Sequence, residues 1–459
     1  MPLIKSISGI RGTIGDRGGE DLTKKDIILY TMSFVLLLKY EKRVFSNKIV
    51  VGRDARISGL MIQDLVLDTL TKMGFDVVCL GLSTTPTVEI AVPIENADAG
   101  IIITASHNPK EWNALKLLNN KGEFISADDG KKLISISGSN PKIDTKINLG
   151  TVKYDNTYID KHVEMILNLS SVDVKAIKNR KFKIVVDAVN STGGIAVPKL
   201  LEKLNVDIIK LYCDPTGDFP HNPEPLKENL YDLSRLVVEK NADLGIVVDP
   251  DVDRLAFVSE NGEVFGEEYT IVACADYYLK LNPGNTVSNL SSSRALKDIS
   301  EFSGCEHIFS PVGEVNVVKL MREKNAVIGG EGNGGVILPD LHYGRDALVG
   351  IALFLSHLAN LNISCSKLRS KYPSYFMSKD KIMLSKNVNV DKIINQISEK
   401  YFDEKINNED GLKIDFENSW VQLRKSNTEP IIRVYSEAKS QKEANMLSSK
   451  FIDEINMIK

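Results

Sequence analysis

Three aspartates, Asp249, Asp251 and Asp253, alternate across the end of an apolar run in LGIVVDPDVDRLAFV (244–258), with Arg254 directly after them. A locally extended backbone would direct all three carboxylates to one side. Anions gathered in this way need a cation. Hard carboxylate oxygens suit Mg²⁺, which keeps coordination positions open for substrate oxygens. Arg254 adds a planar fork suited to a phosphate beside the metal. A calcium loop is a rival, because Glu260 falls at the twelfth position from Asp249, but Arg254 stands at the sixth, where such loops need Gly. A Mg²⁺-dependent phosphatase with Asp249 as nucleophile is another rival. It leaves Asp253 and Arg254 without a task.

Ser106 is the candidate nucleophile. In AGIIITASHNPKEWNALKLL (99–118) an apolar strand ends at Thr104, Ser106 sits in a tight connection, and the pattern predicts a helix from about Pro109. A hydroxyl at a helix N-terminus is a favourable seat for a covalently attached phosphate. The plain alternative is that Ser106 or Asn108 only caps the helix. Serine-hydrolase chemistry is disfavoured, since GxSxG is absent and His107, adjacent in sequence to the serine, is poorly placed as its base. Lys116, one helix face further on, could enter the same pocket as an acid/base group.

Two further segments suit a sugar and an anion. AVIGGEGNGGVILPDLHYGRD (326–346) has glycines at 329, 330, 332, 334 and 335 around Glu331 and Asn333. Such glycines allow close backbone approach to a ligand, and the two polar residues offer acceptors and donors for sugar hydroxyls. The spacing is neither a dinucleotide fingerprint nor a P-loop. In LRKSNTEPIIRVYSEA (423–438), Ser426, Asn427 and Thr428 form a turn between two strands, with Arg424 able to grip a phosphate bidentately.

Positioning these four segments requires several cores. At roughly 100–200 residues per domain, the 459 residues call for more than one. Val- and Ile-rich strands alternate with helical patterns from KIVVG (48–52) to Thr104, again from KFKIVVDAVN (181–190) to Asp249, and again from Gly262 to AVIGG (326–330). Similarity between these units is too weak to define a sequence repeat. The turn-rich stretch 135–150 marks a boundary near 155, and from about 376 the pattern becomes a smaller α+β unit. The expected domains are 1–154, 155–260, 261–375 and 376–459. Hydrophobic residues make up 43% and charged residues 26%, which excludes disordered and fibrous classes. A net charge of −4, with no basic run, gives no nucleic-acid or membrane footprint. Five scattered cysteines without a CxxC pair argue against a disulfide framework or zinc site and point to a reducing cytoplasm. The N-terminus offers no signal-like apolar run, and no stretch is long enough to span a bilayer.

Taken together and in this order, TASHNP, DPDVDR, GGEGNGG and RKSNTEP resemble the phosphoserine, metal, sugar-binding and phosphate-binding loops of the α-D-phosphohexomutase superfamily, along essentially the whole chain. SGIRGT (8–13), with Arg11, resembles the family's opening strand and turn. The resemblance implies an α/β fold: three tandem mixed α/β domains plus a C-terminal α+β domain like the TATA-binding protein, around a central cleft. It implies that Ser106 carries a phosphoryl group and donates it to a hexose monophosphate, giving a bisphosphorylated sugar that turns round and returns its other phosphoryl group. A bisphosphorylated hexose would accordingly serve as activator. Mg²⁺ would be held by Asp249, Asp251, Asp253 and a phosphoserine oxygen at Ser106. Lys116 would act as acid/base. Arg254, Arg11 and His107 complete the expected catalytic set, and Glu331, Asn333, Arg424, Ser426, Asn427, Thr428 and Arg433 the substrate-binding set. The expected partner is a small hexose phosphate, with no nucleic acid or membrane, and the chain is expected to be a monomer or homodimer.

The sugar loop reads GEGNGG, where many glucosamine-type members show GEQSG and mannose/glucose-type members often show GEMSG. SPVGEVNVV (310–318) has no histidine where some mannose/glucose enzymes have one. With the SGIRGTIG opening, this favours interconversion of glucosamine 6-phosphate and glucosamine 1-phosphate; mannose and glucose phosphates are the alternative. A non-catalytic sugar-phosphate sensor has no evident need for both Ser106 and three aspartates. His342 and Arg345, just after the sugar loop, are candidates to line the cleft or to support it.

Overall fold

The computed structural model describes residues 3–6, 9–139, 141, 148–384, 389–425 and 431–458. The first sheet contains β1 (Ile4–Ser6), β2 (Gly9–Thr13), β3 (Lys48–Arg53), β4 (Asp76–Leu82), β5 (Ala99–Ile103), β6 (Trp112–Leu118) and β7 (Val152–Tyr154), in the order β1-β2-β6-β5-β3-β4-β7. The second is β11-β10-β8-β9, from β8 (Lys183–Asp187), β9 (Asp207–Leu211), β10 (Leu244–Val248) and β11 (Leu255–Ser259). The third is β13-β12-β14-β15, from β12 (Thr286–Asn289), β13 (His307–Ser310), β14 (Ile328–Glu331) and β15 (Gly335–Ile337).

A common plan underlies all three. In each, three parallel strands are followed by a hairpin return: β5 into antiparallel β6, β10 into β11, and β14 into β15. Parallel strands covered on both faces are nearly continuous apolar runs, which is why KIVVG, KIVVD and LGIVV read so strongly as strands. The repeat is topological, carried by the alternation of strand and helix more than by residue identity. Its three hairpin turns hold Ser106, the three aspartates, and Glu331 with Asn333.

The fourth sheet is antiparallel throughout. Strands β16 (Phe376–Met383), β17 (Lys405–Asn407), β18 (Leu412–Asp415), β19 (Trp420–Lys425) and β20 (Ile431–Ala438) lie in the order β16-β20-β19-β18-β17, with helices Val390–Lys400 and Gln441–Ile458. Its apolar core, around Ile393, Leu423, Val434 and Phe451, is separate from the others. The second and third sheets share one continuous core through helix Ala347–Leu361, every residue of which is buried from Ala347 to Leu358. Phe354 of that helix stacks on Phe257 of β11 at 3.7 Å between centroids.

Three expectations change here. The sequence predicts a helix after Pro109, but β6 is there, paired with β5 and β2. The alternation W-N-A-L-K-L-L fits a strand buried on both faces, and the short apolar run does not distinguish the two periods. Ser106 is therefore in a hairpin turn and not at a helix N-terminus, and Lys116 projects from a strand. The aspartate loop is likewise a tight turn and not an extended segment. Among the described residues no helix is long and apolar enough to cross a membrane.

Candidate active site

Ser106 is held from three directions. Its backbone is in the left-handed region at φ 49°, uncommon for a residue with a Cβ. Its N–H donates to Thr104 Oγ1 at 2.9 Å, and Thr104 in turn donates to Asp54 Oδ2 at 2.7 Å. Its carbonyl accepts from Arg56 Nη2. Arg56, fully buried, also donates to the carbonyls of Asn108 (2.7 Å), Pro109 (2.6 Å) and Trp112 (3.0 Å) and to Asp54 Oδ2 (2.9 Å). One guanidinium thus satisfies four carbonyls of the turn that carries the serine. The sequence marks Asp54 and Arg56 only through GRDAR, charges placed directly after the apolar strand KIVVG.

The hydroxyl of Ser106 donates to Asp249 Oδ2 at 2.7 Å, across 143 residues of sequence. Asp249 Oδ1 accepts from the N–H groups of Asp253 and Arg254, both at 3.1 Å, so the turn closes on its first carboxylate. Val252, a buried β-branched residue, has φ 65°, a strained geometry that lets the chain reverse between Asp251 and Asp253. Neighbouring units hold it so: Thr85 N–H donates to the Asp251 carbonyl at 2.8 Å, and Ala347 N–H to the Val252 carbonyl at 3.1 Å. The three carboxylates converge because the turn folds them together; ligand oxygens of all three lie within 4.8 Å of one another.

A cation fits this cluster. Lys116 Nζ lies 2.7 Å from Asp251 Oδ2 and 3.3 Å from Asp253 Oδ2. Arg345 Nη2 reaches Asp253 Oδ2 at 2.7 Å, and Thr85 Oγ1 donates to Asp251 Oδ2 at 2.5 Å. The other oxygens, Asp251 Oδ1 and Asp253 Oδ1, are buried and make no hydrogen bond. Such orphaned acceptors are costly in a protein interior unless a further ligand satisfies them. Burial, then Asp253 and Asp251, push the Asp249 carboxyl well up, a cost that a divalent cation would relieve. Burial opposes charge on Asp253 as well, but Arg345, Lys116 and Arg254 outweigh it and hold that carboxyl down. Lys116 is buried, yet Asp251 and Asp253 outweigh burial and raise it to about 12.

Beside this cluster opens a cavity of about 410 Å³ with walls from all four sheets' units. His107 comes from the first, Arg254 and Glu224 from the second, Glu331 and Asn333 from the third, and Arg424 and Arg433 from the fourth. Arg11 donates to Asn108 Oδ1 at 2.9 Å, placing it on the serine turn. Burial, then the positive charges of Arg254 and Arg11, push the His107 imidazole well down, so it is neutral, and its buried Nδ1 makes no hydrogen bond. Arg254 donates to Glu224 Oε1 at 2.7 Å, leaving its buried Nε without a hydrogen-bond partner. Arg424 and Arg433 are opposed on β19 and β20. Arg424 Nε is 2.8 Å from Asp410 Oδ2, and Arg433 Nη1 donates to Tyr435 at 3.2 Å. Ser426, Asn427 and Thr428 lie outside the described residues.

Glu331 is held by Asn289 Nδ2 (2.7 Å), Gly313 N–H (3.2 Å) and Arg345 Nη1 (2.8 Å). Gly332 lines the cavity, where a ligand could approach it, and the glycines that follow let protein chains pack. A Cβ on Gly334, at φ +90°, would lie 2.2 Å from the Leu255 carbonyl oxygen, and one on Gly335 would meet Arg345 Cδ at 2.3 Å. Arg345 itself is buried and ties Asp253, Glu331 and Glu314 together, the last through Nε at 3.1 Å. Of the two readings of Arg345, the supporting one describes it.

Four family models cover the chain in order: the alpha/beta/alpha domains I, II and III of phosphoglucomutase/phosphomannomutase match residues 4–143, 158–262 and 266–375, and its C-terminal domain matches 385–454. A phosphoglucomutase/phosphomannomutase of Thermococcus kodakarensis is 37% identical over 94% of this chain and 95% of its own. A probable phosphoglucosamine mutase of Methanopyrus kandleri is 34% identical over 97% and 96%. The crystal structure of a phosphoglucomutase/phosphomannomutase family protein from Burkholderia thailandensis covers 99% of this chain and 98% of its own, with 26% identity and a TM-score of 0.85. With its triple hairpin plan, its serine hydrogen-bonded to an aspartate cluster and matches over nearly its whole length, the chain belongs to the phosphoglucomutase/phosphomannomutase family.

Proposed function

We propose that the protein is a phosphosugar mutase that moves a phosphoryl group between the 1- and 6-positions of a hexose phosphate, with Ser106 as the phosphoryl carrier. The observation that carries this reading is the 2.7 Å hydrogen bond from the Ser106 hydroxyl to Asp249, beside a cavity walled by separated arginines. In the first half-reaction the bond between phosphorus and Ser106 Oγ breaks as a sugar hydroxyl oxygen bonds to phosphorus. The bisphosphorylated sugar then turns round, and its other phosphoryl group returns to Ser106 Oγ while the bond to the sugar oxygen breaks. Asp249, Asp251 and Asp253, with an oxygen on phosphorylated Ser106, would hold Mg²⁺, which supplies charge neutralisation at the transferring group. Arg254, with Arg11 behind the serine turn, stabilises that group.

Lys116 is assigned as the acid/base: Asp251 and Asp253 hold it protonated as a hydrogen-bond donor, and a cation bound to those carboxylates would lower its pKa and let its proton pass to the departing oxygen and be replaced from the attacking hydroxyl. Neutral His107 stands at the cavity wall, its Nδ1 without a hydrogen-bond partner. Glu331 and Asn333 contact sugar hydroxyls in either orientation. Arg424 and Arg433, with Ser426, Asn427 and Thr428 on the connecting segment, clamp the phosphate that does not react. A substrate that must bind both ways round needs one fixed clamp and one reactive end, which accounts for walls drawn from four units. Domain boundaries of 1–154, 155–260, 261–375 and 376–459 follow the four sheets. We assign the protein to a reducing cytoplasm, in keeping with its free thiols.

For the substrate we propose glucosamine 6-phosphate and glucosamine 1-phosphate, a choice supported by the Methanopyrus kandleri relative's name and the loop departures. The Thermococcus kodakarensis relative's name favours a second reading, mannose and glucose phosphates. Mass spectrometry should find a phosphoryl group on the Ser106 peptide after incubation with a bisphosphorylated hexose, and Ser106→Ala should abolish turnover. Full mutase activity in that variant would refute the mechanism. Comparison of kcat/KM for the 1-phosphates of glucosamine, glucose, mannose and N-acetylglucosamine decides the substrate; glucosamine failing to lead would overturn that assignment without touching the chemistry.

A further inference from the structure

A second set of ligand-type side chains meets where the first three units join, apart from the aspartate loop. Asp346 caps helix Ala347–Leu361, its Oδ1 accepting from Leu348 N–H at 2.8 Å. Its Oδ2 is left facing two imidazoles: His162 Nε2 at 2.8 Å and His342 Nε2 at 3.4 Å. The far nitrogen of each ring is also attended, His162 Nδ1 by Thr87 Oγ1 at 3.0 Å and His342 Nδ1 by Glu89 Oε2 at 3.4 Å. His162, Asp346 and Glu89 are fully buried, and His342 retains 12% side-chain exposure. Thr87 and Glu89 belong to helix Thr85–Ile94 of the first unit, His162 to helix Tyr158–Leu167, and His342 to the segment after β15.

We propose that His162 Nε2, His342 Nε2 and Asp346 Oδ2 form a site for Zn²⁺ or a divalent transition-metal ion of similar softness. Two imidazoles and one carboxylate are a donor set for such ions and a poor one for Mg²⁺. Neighbouring ligands of a tetrahedral ion at about 2.0–2.1 Å stand about 3.4 Å apart, as His342 Nε2 and Asp346 Oδ2 do, and the 2.8 Å hydrogen bond between His162 and Asp346 would open slightly as the ion replaces its proton. Thr87 Oγ1 on His162 Nδ1 turns Nε2 of that ring towards the ion, the usual arrangement around metal-bound histidine, and Glu89 Oε2 lies 3.4 Å from His342 Nδ1. Hydrogen bonding alone accounts for the site less well. His162 and Thr87 are satisfied, but His342 has only two long contacts, and the buried Glu89 Oε2 makes no hydrogen bond. Burial disfavours charge on both Glu89 and His342. An ion accepting the Nε2 lone pair of His342 would make its Nδ1–H a better donor to Glu89 and close both deficits. The exposed edge of His342 gives a path of entry. Because Arg345, between His342 and Asp346, holds Asp253 and Glu331, the ion would brace the segment that positions both.

The test uses the full-length protein stripped with EDTA and dialysed into buffer with millimolar Mg²⁺. Titration with Zn²⁺ against a chromophoric chelator should show one bound equivalent that Mg²⁺ does not displace and that Asp251→Asn retains. Co²⁺ in its place should give visible d–d absorption. Glu89→Gln should weaken Zn²⁺ binding by about 10–100-fold, and His342→Gln by at least as much. No tight equivalent in the wild-type protein, displacement by Mg²⁺, loss of the equivalent in Asp251→Asn, or unchanged affinity in both Glu89→Gln and His342→Gln would overturn the proposal. If His342→Gln fails to fold, the wild-type titration and Glu89→Gln still decide it.

Discussion

Replacing Arg56 by Lys keeps the charge but removes the planar fork. Arg56 makes five side-chain hydrogen bonds, to Asp54 and to the carbonyls of Ser106, Asn108, Pro109 and Trp112. A lysine ammonium has three donors from a single point, so at least two of these acceptors go unserved. Hydrogen bonds to a charged group are worth about 1.5–3 kcal/mol each, which puts the loss at about 3–6 kcal/mol before relaxation. The guanidinium also lies 5.0 Å from the Phe219 ring centroid, a contact the lysine changes. Much of that energy holds the serine turn against β3, so the turn relaxes and Ser106 shifts relative to Asp249. A displacement near 1 Å can cost about 100-fold in rate. Steady-state assay of glucosamine 1-phosphate with saturating bisphosphorylated activator should therefore show kcat for Arg56→Lys reduced by about two orders of magnitude. The stoichiometry of Ser106 phosphorylation should fall with it. A variant with kcat within about twofold of wild type, a shift below about 0.4 kcal/mol, would refute the view that this guanidinium positions the serine.

Arg433→Met should raise KM for either sugar phosphate by about 10–100-fold, the equivalent of one charge-assisted hydrogen bond, while leaving phosphorylation of Ser106 by the bisphosphate less affected at saturation. Equal KM values would remove Arg433 from the clamp. Gly334→Ala should destabilise the protein by more than the roughly 1–3 kcal/mol of left-handed strain alone, since the new Cβ collides with the Leu255 carbonyl; urea denaturation measures it, and a midpoint matching wild type would count against the packing role. Burial, then Lys413 and Lys297, lower His307 from 6.5 to about 3 in the folded state. The unfolded chain takes up that proton as pH falls through 6.5 and the folded chain does not, so stability declines on acidification from about pH 6.5 towards 3. His307→Gln should flatten that acid limb in urea titrations at pH 7, 6 and 5; an unchanged slope would remove His307 from its cause.

Local order was legible where a short pattern does the whole job. KIVVG, KIVVD and LGIVV can only be buried strands, and carboxylates spaced as Asp249, Asp251 and Asp253 must meet a cation or repel. The stretch 112–118, a brief apolar run with one lysine, carries neither the helical nor the strand period clearly. Its pairing with β5 and β2, at sequence distances no local pattern reports, decides it as a strand. The glycines of 329–335 announced a crowded backbone but not what crowds it, since Leu255 and Arg345 approach from elsewhere in the chain.

The sequence by itself determined the chemical inventory: one serine, three aspartates, a glycine-rich loop and separated arginines. Only the tertiary structure decided how they act together. It closed the aspartate turn through a left-handed Val252, delivered Ser106 to Asp249 across 143 residues and clasped the serine turn with Arg56. It also spent Lys116 and Arg345 on one oxygen of Asp253, leaving the other bare for a cation. The physical reason is range: strand periodicity and turn chemistry act over a few residues, whereas desolvation and charge pairing depend on what the fold packs around each group.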